Sequence, residues 1–219
     1  FFEKLHSISL DNSVFVDCTA SKEVPLRYVQ LLRSKYSIVA CNKIGFSLPY
    51  RQYEAIMSAA HENGMSVKFE TTVGAALPIL ETIERSVNSG DEITSIQAVL
   101  SGTLNYIFST YKGEEGDSFA QVVARAKELG YTEPDPLIDL SGVDVLRKLI
   151  IASRHAGVAI EEEDVEQEPL LPETDLTRCE GYFAQRYKKN QEDGRVDRFV
   201  ATLQKDPNSP KGYKARIAL

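Results

Sequence analysis

Between Ala126 and Lys148 the chain reads AKELGYTEPDPLIDLSGVDVLRK, and this stretch limits the fold more than any other. Sixteen of its residues carry four carboxylates, Glu133, Asp135, Asp139 and Asp144, and end on Lys148. Prolines and glycines break the first part into turns. From Val143 the sequence VDVLRKLIIAS is apolar on nearly every face, and a helix of that kind is normally buried. Asp144 and Lys148 are four residues apart and share one face of it. Desolvating either charge costs several kcal/mol, so the two must be paired or used. On an exposed helix the same spacing would be an ordinary ion pair worth about 0.3–0.5 kcal/mol.

The N-terminal part alternates strand and helix signals. SVFVDC (13–18) and SIVAC (37–41) read as buried strands around a helix at 23–36. Residues 49–63 read as a second helix with Pro49 near its start and Gly64 as its C-cap. SVKFE (66–70) then reads as a third strand. Such an order implies parallel βαβ units of a doubly wound nucleotide-binding sheet. No G-x-G-x-x-G is present, so the Rossmann-like half is expected to be incomplete and the chain to be a piece of a longer protein.

From Leu77 the pattern changes to α+β. Helices are expected at 78–90, from 103, at 118–129, at 142–156 and over YFAQRYKKNQEDG; strands are expected over EITSIQAVLSG, 198–203 and 213–219. The acidic, proline-containing segment 161–176 reads as an exposed connection. The division implied is a partial dinucleotide-binding domain over 1–76 and a substrate-binding, catalytic and dimerisation domain over 77–219.

Composition excludes several classes. Hydrophobic residues make up 42% of the 219, enough for a packed core. A net charge of -7 with scattered lysines argues against nucleic-acid or anionic-membrane partners. Cys18, Cys41 and Cys179 are odd in number and widely spaced, which points away from a disulfide framework or zinc site and toward a reducing cytoplasm. No apolar run approaches the roughly 20 residues of a membrane span, and FFEKLHSISLDN lacks a signal-peptide pattern.

The spacing A-x3-G-Y-T-E-P-D-P-x2-D-L-x-G-x-D-x3-K closely resembles the homoserine dehydrogenase signature. DCTA (17–20), NK (42–43), TVGAALP (72–78) and SGTLNYI (101–107) agree with it. LHSISLDNSVFVDCTA is also similar to the dehydrogenase half of bifunctional aspartokinase–homoserine dehydrogenases. The resemblance implies NAD(P)H-dependent interconversion of aspartate-4-semialdehyde and homoserine, on the route to threonine, methionine and isoleucine. It also implies a homodimer or higher homo-oligomer built through a mixed sheet. Two other readings stay open: a dimerisation or substrate-binding piece with no activity of its own, which the missing glycine-rich loop favours for the isolated chain, and a related amino-acid alcohol dehydrogenase.

The resemblance assigns roles. Hydride addition to an aldehyde builds charge on its oxygen, and a positioned ammonium can stabilise and protonate it. Lys148 matches the family's catalytic lysine, Asp144 its orienting acid, and Lys43 the lysine that reaches cofactor and substrate. Glu133 and Asp139 match the acids that hold the substrate's ammonium; Asp135 is read as turn-making and Tyr131 as either a substrate contact or a packing residue. Gly102 and Thr103, at a strand-to-helix junction, suit a carboxylate, although Ser101 or Thr103 could simply cap the helix. Thr19 and Ala20 would face the cofactor. Glu70, with the carbonyls of Val73, Ala75 and Leu77, resembles the family's loop for a monovalent cation such as sodium.

Overall fold

A computed structural model describes residues 2–7 and 12–219; the part of the LHSISLDN reading that falls on 8–11 lies outside the described residues. The chain divides into two compact units, 1–93 with 147–162, and 94–146 with 163–219. The contact boundary thus lies well past the sequence-based boundary at 76/77, and the first unit takes back a segment from the middle of the chain.

In the first unit, α1 (Phe2–Ser7) precedes β1 (Ser13–Asp17), α2 (Tyr28–Arg33), β2 (Tyr36–Ala40), α3 (Ile44–Ser47), α4 (Tyr50–Asn63), β3 (Val67–Lys68) and α5 (Ile79–Asn88). The three strands form a parallel sheet in the order β1-β2-β3, with Ser13 opposite Tyr36 and Asp17 opposite Ala40. The βαβ expectation holds because α2 packs on β2 and α4 through Tyr28, Leu31 and Leu32, all fully buried. Each such side chain contributes roughly 1.5–3 kcal/mol of burial. α4 starts after Pro49 and ends at Gly64, whose φ of 64° is the left-handed C-cap conformation.

Two expectations in this unit are corrected. The helix foreseen over 23–36 is a 3-10 turn at Pro25–Arg27 followed by the six-residue α2. The third strand is two residues long, because Phe69 turns inward to stack on Phe46 at 3.9 Å and Glu70 reaches back to α5.

The second unit contains β4 (Ser95–Ala98), α6 (Gly102–Thr110), α7 (Phe119–Glu128), α8 (Pro136–Leu140) and the first residues of α9 (Val143–His155). It continues with β5 (Val165–Gln167), α10 (Glu180–Glu192), β6 (Val200–Lys205) and β7 (Tyr213–Ala218). The sheet order is β4-β6-β7-β5, antiparallel except for the parallel β5–β7 pair, so the expected mixed sheet is present. α7 opens with a capping box in which Ser118 and Gln121 satisfy each other's backbone N–H groups. Phe119 stacks on Phe183 at 3.9 Å and joins α7 to α10. β4 is four residues long rather than a long strand, and Ser101 caps the following helix.

The segment 161–176 is not a plain exposed connection. It contributes β5, and Val165 and Leu170 are buried. Its acidic composition hid a short strand of which only Val165 is buried, while Glu166 and Gln167 are exposed. Gly142, just before α9, has a φ of 74°, and a Cβ there would lie 3.1 Å from Phe199 Cζ, so the motif glycine answers to both backbone and packing. Among the described residues no helix is long and apolar enough to cross a membrane.

Candidate active site

In the first unit the carboxyl ends of β1 and β2 are tied together by one buried acid. Asp17 is 1% exposed. Its Oδ2 accepts the Tyr28 hydroxyl at 2.5 Å and Asn42 Nδ2 at 3.0 Å, while Oδ1 accepts the backbone N–H and the hydroxyl of Thr19 at 2.9 and 2.7 Å. Asn42 Nδ2 also donates to Ser21 O at 2.9 Å, and its Oδ1 accepts the Ile44 N–H at 3.0 Å. Burial by itself would raise the Asp17 carboxyl, but the bonds from Tyr28, Thr19 and Asn42 outweigh it and leave its pKa below the ordinary value. Burial, then the neighbouring carboxylate, raises the Tyr28 phenol.

This network sets the loops of both strands that carry expected cofactor residues. Thr19 and Ala20 follow β1 and are exposed; Lys43, half-buried, follows β2 and begins α3. Ligands of open parallel sheets bind at such carboxyl ends. The Thr19 hydroxyl donates to Asp17 while its oxygen accepts the Ser21 N–H at 3.1 Å, so both the donor and the acceptor side of this hydroxyl are engaged within the loop.

Glu70 sits at the start of α5. Its two carboxylate oxygens accept the N–H groups of Leu80 and Glu81, each at 2.8 Å, so it acts as a remote helix cap. The loop between bends sharply: Gly74 and Ala75 have φ of 79° and 53°. A Cβ on Gly74 would lie 2.5 Å from Ile79 Cγ1. Left-handed geometry at Ala75 is strained for a residue with a side chain. Leu77 is exposed and its carbonyl accepts the Ile79 N–H at 2.9 Å. Glu70 also lines a cleft of about 350 Å³ with Lys68, Glu84 and His155.

In the second unit the acidic loop is organised by Asp139. Its Oδ2 accepts the Glu133 N–H at 2.8 Å, and its Oδ1 accepts the Thr103 hydroxyl at 3.2 Å. The Thr103 hydroxyl is also hydrogen-bonded to the Tyr131 carbonyl. Thr103, Tyr131, Glu133 and Asp139 are therefore brought together. Asp139 lies on α8 and bonds inward, whereas the Glu133 side chain is exposed. Tyr131 packs its ring on Tyr106 with centroids 4.8 Å apart. Asp135 caps α8 through the Leu137 N–H at 3.0 Å, in keeping with a turn-making role. Ser101 is the N-cap of α6, accepting the Leu104 N–H at 3.1 Å, and exposed Gly102 is the first helical residue. The opening amides of a helix have no acceptor within it and attract anions.

Asp144 and Lys148 both lie on α9, one turn apart and half-buried, while Val145, Leu146 and Leu149 to Arg154 are buried. Asp144 falls in the second unit and Lys148 in the first. Sequence reasoning quoted Asp17 and Asn42 only within the DCTA and NK matches and gave neither a role, although an acid ending an apolar strand is a readable signal. It also passed over Arg154, whose guanidinium donates to the carbonyls of Phe46, Leu48 and Ile160 and to Glu161. A separate cleft of about 530 Å³, lined by Lys112, Glu114 and α10 residues, contains none of the residues chosen from sequence.

Comparison with known proteins gives the family to which the chain is similar. Residues 78–219 match the family model described as homoserine dehydrogenase, and residues 2–70 match that of the homoserine dehydrogenase NAD binding domain. A bifunctional aspartokinase/homoserine dehydrogenase of Buchnera aphidicola is 39% identical over 88% of this chain and 25% of its own length. A homoserine dehydrogenase of Emericella nidulans is 45% identical over 69% of this chain and 42% of its own. Among solved structures, a Candida auris protein of unknown function matches with a TM-score of 0.89 and 28% identity, covering 100% of this chain and 65% of that one. Homoserine dehydrogenase from Thermoplasma acidophilum matches with a TM-score of 0.69 and 25% identity, covering 99% and 60%. The chain thus spans between a quarter and under half of these two relatives' own length.

Proposed function

The chain belongs to the homoserine dehydrogenase family, and on that premise we propose that its protein interconverts aspartate-4-semialdehyde and homoserine with NAD(P)H. The observation that carries the reading is the Asp139 bridge. By holding the Glu133 backbone and the Thr103 hydroxyl together, it sets an exposed carboxylate in the same small cluster as the start of α6. An amino-acid substrate has a matching pair of charges: its α-ammonium suits Glu133, and its α-carboxylate suits the amides at Gly102 and Thr103.

The other roles follow the family motif. Thr19, Ala20 and Lys43 hold the nicotinamide cofactor, which when bound supplies or accepts the hydride. Lys148 gives the proton to the developing alkoxide and Asp144 orients it. Glu70, with the carbonyls of Val73, Ala75 and Leu77, holds a monovalent cation; the left-handed Ala75 supports this, since strain of that kind gathers at functional loops. The protein works in the cytoplasm as a homodimer or higher assembly through its mixed-sheet unit, which light scattering would check.

Lys148→Ala in the intact protein tests the mechanism. Turnover should vanish while thermal stability stays near wild type; activity within about tenfold of wild type would overturn the assignment. Activity confined to alcohols that lack an amino group would overturn the substrate reading.

A further inference from the structure

Cys18 and Cys41 stand one residue beyond the β1–β2 ladder, in the register that pairs Asp17 with Ala40. The ladder still runs at that point, because the Cys41 N–H donates to Asp17 O at 2.9 Å. Both cysteines are exposed, and the register sets them side by side across the two parallel strands. Adjacent strands lie about 4.8 Å apart, inside the roughly 4.4–6.8 Å of Cα separation that a disulfide spans. The third cysteine, Cys179, is buried against the Glu173 and Asp175 carbonyls and belongs to the other unit.

We propose that Cys18 and Cys41 are a dithiol modification site that closes to an intrachain disulfide by exchange with a low-molecular-weight disulfide and, when reduced, chelates a trivalent arsenical. In the exchange one cysteine thiolate attacks the small disulfide, forming a mixed disulfide and releasing one small thiolate. The second cysteine, deprotonated, then attacks the protein sulfur of that mixed disulfide and displaces the second small thiolate. Two cysteines are oxidised, one small disulfide is reduced to two thiols, and the two cysteine protons pass to the leaving thiolates. With an arsenical carrying an As=O group the two thiols instead form two As–S bonds; the arsenic–oxygen bond breaks, the oxygen leaves as water with the two thiol protons, and no oxidation state changes. The neighbouring Cys41 holds the Cys18 thiol above its ordinary pKa, so closure speeds up as pH rises. The cross-link would join the strand ends that carry Thr19 and Lys43. It depends only on the strand register and the exposure of the two cysteines, not on the proposed catalytic activity.

The test uses the full-length protein and its Cys18→Ser and Cys41→Ser variants, both at exposed positions. After incubation with oxidised glutathione and alkylation, tryptic mapping should find peptide 5–22 disulfide-linked to peptide 36–43, reversed by dithiothreitol. Each single variant should carry a stable glutathione adduct on its remaining cysteine. Phenylarsine oxide should protect both cysteines from alkylation in the wild type and neither variant's remaining thiol. Separate glutathione adducts on Cys18 and Cys41 with no linked peptide, or two thiols that alkylate normally in the presence of phenylarsine oxide, would overturn the proposal.

Discussion

The carboxylate of Asp139 holds the backbone of Glu133: Oδ2 accepts its N–H at 2.8 Å, while Oδ1 takes the Thr103 hydroxyl at 3.2 Å. One acid thus positions the loop and leaves the other facing solvent, where a ligand can reach it. Asp139→Ala removes a charged acceptor, a loss of about 1.5–3 kcal/mol, so kcat/KM for homoserine should fall roughly ten- to a hundredfold. Asp139→Asn, which keeps one acceptor oxygen, should fall between. Glu133→Gln should raise KM with little change in thermal stability. Unchanged KM in all three variants would separate this loop from substrate binding.

Asp17 and Tyr28 are predicted to be strongly coupled. Tyr28→Phe takes a donor from a buried carboxylate and should cost about 1.5–3 kcal/mol of stability; after Asp17→Asn the same change should cost much less. The Asp17 pKa is lowered in the folded state, so its contribution is present above the ordinary unfolded value of about 3.8 and is lost as pH falls through the folded one. Denaturation followed down to about pH 3 should therefore show a shallower acid limb in Asp17→Asn. Parallel limbs would remove the assignment.

Arg154 is fully buried at its side chain and spans three carbonyls and Glu161, whose other oxygen accepts the Tyr50 N–H at 2.8 Å. Its guanidinium also lies 5.6 and 5.5 Å from the Tyr50 and Tyr53 ring centroids. Arg154→Met should destabilise by about 3–5 kcal/mol, because Glu161 loses its partner and several carbonyls lose donors. Arg154→Lys keeps the charge but not the planar fork, and should recover less than half of that loss. A urea-denaturation shift below about 1 kcal/mol for Arg154→Met would contradict this account.

His155 sits edge-on to Phe69 at 5.5 Å, with Nε2 4.0 Å from Glu84. Burial lowers its pKa, and the opposing pull of Glu84 and then Glu70 does not restore it. The unfolded state therefore binds the proton more readily than the folded one. Stability should hold above about pH 6.5 and decline as pH falls from there through the depressed folded value. Melting temperatures of His155→Gln between about pH 7 and pH 5 should decline less steeply than wild type; identical slopes would show that another group governs the window.

Much of the fold was legible because its signals are local. Pro49 and Gly64 bracket α4, which runs Tyr50–Asn63; Ser118 and Gln121 form the capping box of α7; Asp135, read as turn-making, caps α8. Glu133 and Asp139 are six residues apart, and α8 brings the second back to accept the backbone N–H of the first. The misreadings arose where tertiary partners override local pattern. β3 stops early because Phe69 and Glu70 bond elsewhere, and β5 forms in an acidic segment because β7 is there to pair with it.

By itself the sequence determined the family, the order of the longer helices and of most strands, and which carboxylates and lysines stand in the motif, because these depend on residue type at fixed spacing. Only the tertiary structure decided the division of labour between Glu133 and Asp139, the tying of two strand ends by Asp17, the seating of Arg154 and the meeting of Cys18 with Cys41. The reason is physical. A buried charge settles where its hydrogen-bond partners converge, and those partners lie far apart in sequence: the Phe46 carbonyl that accepts from Arg154 is 108 positions away.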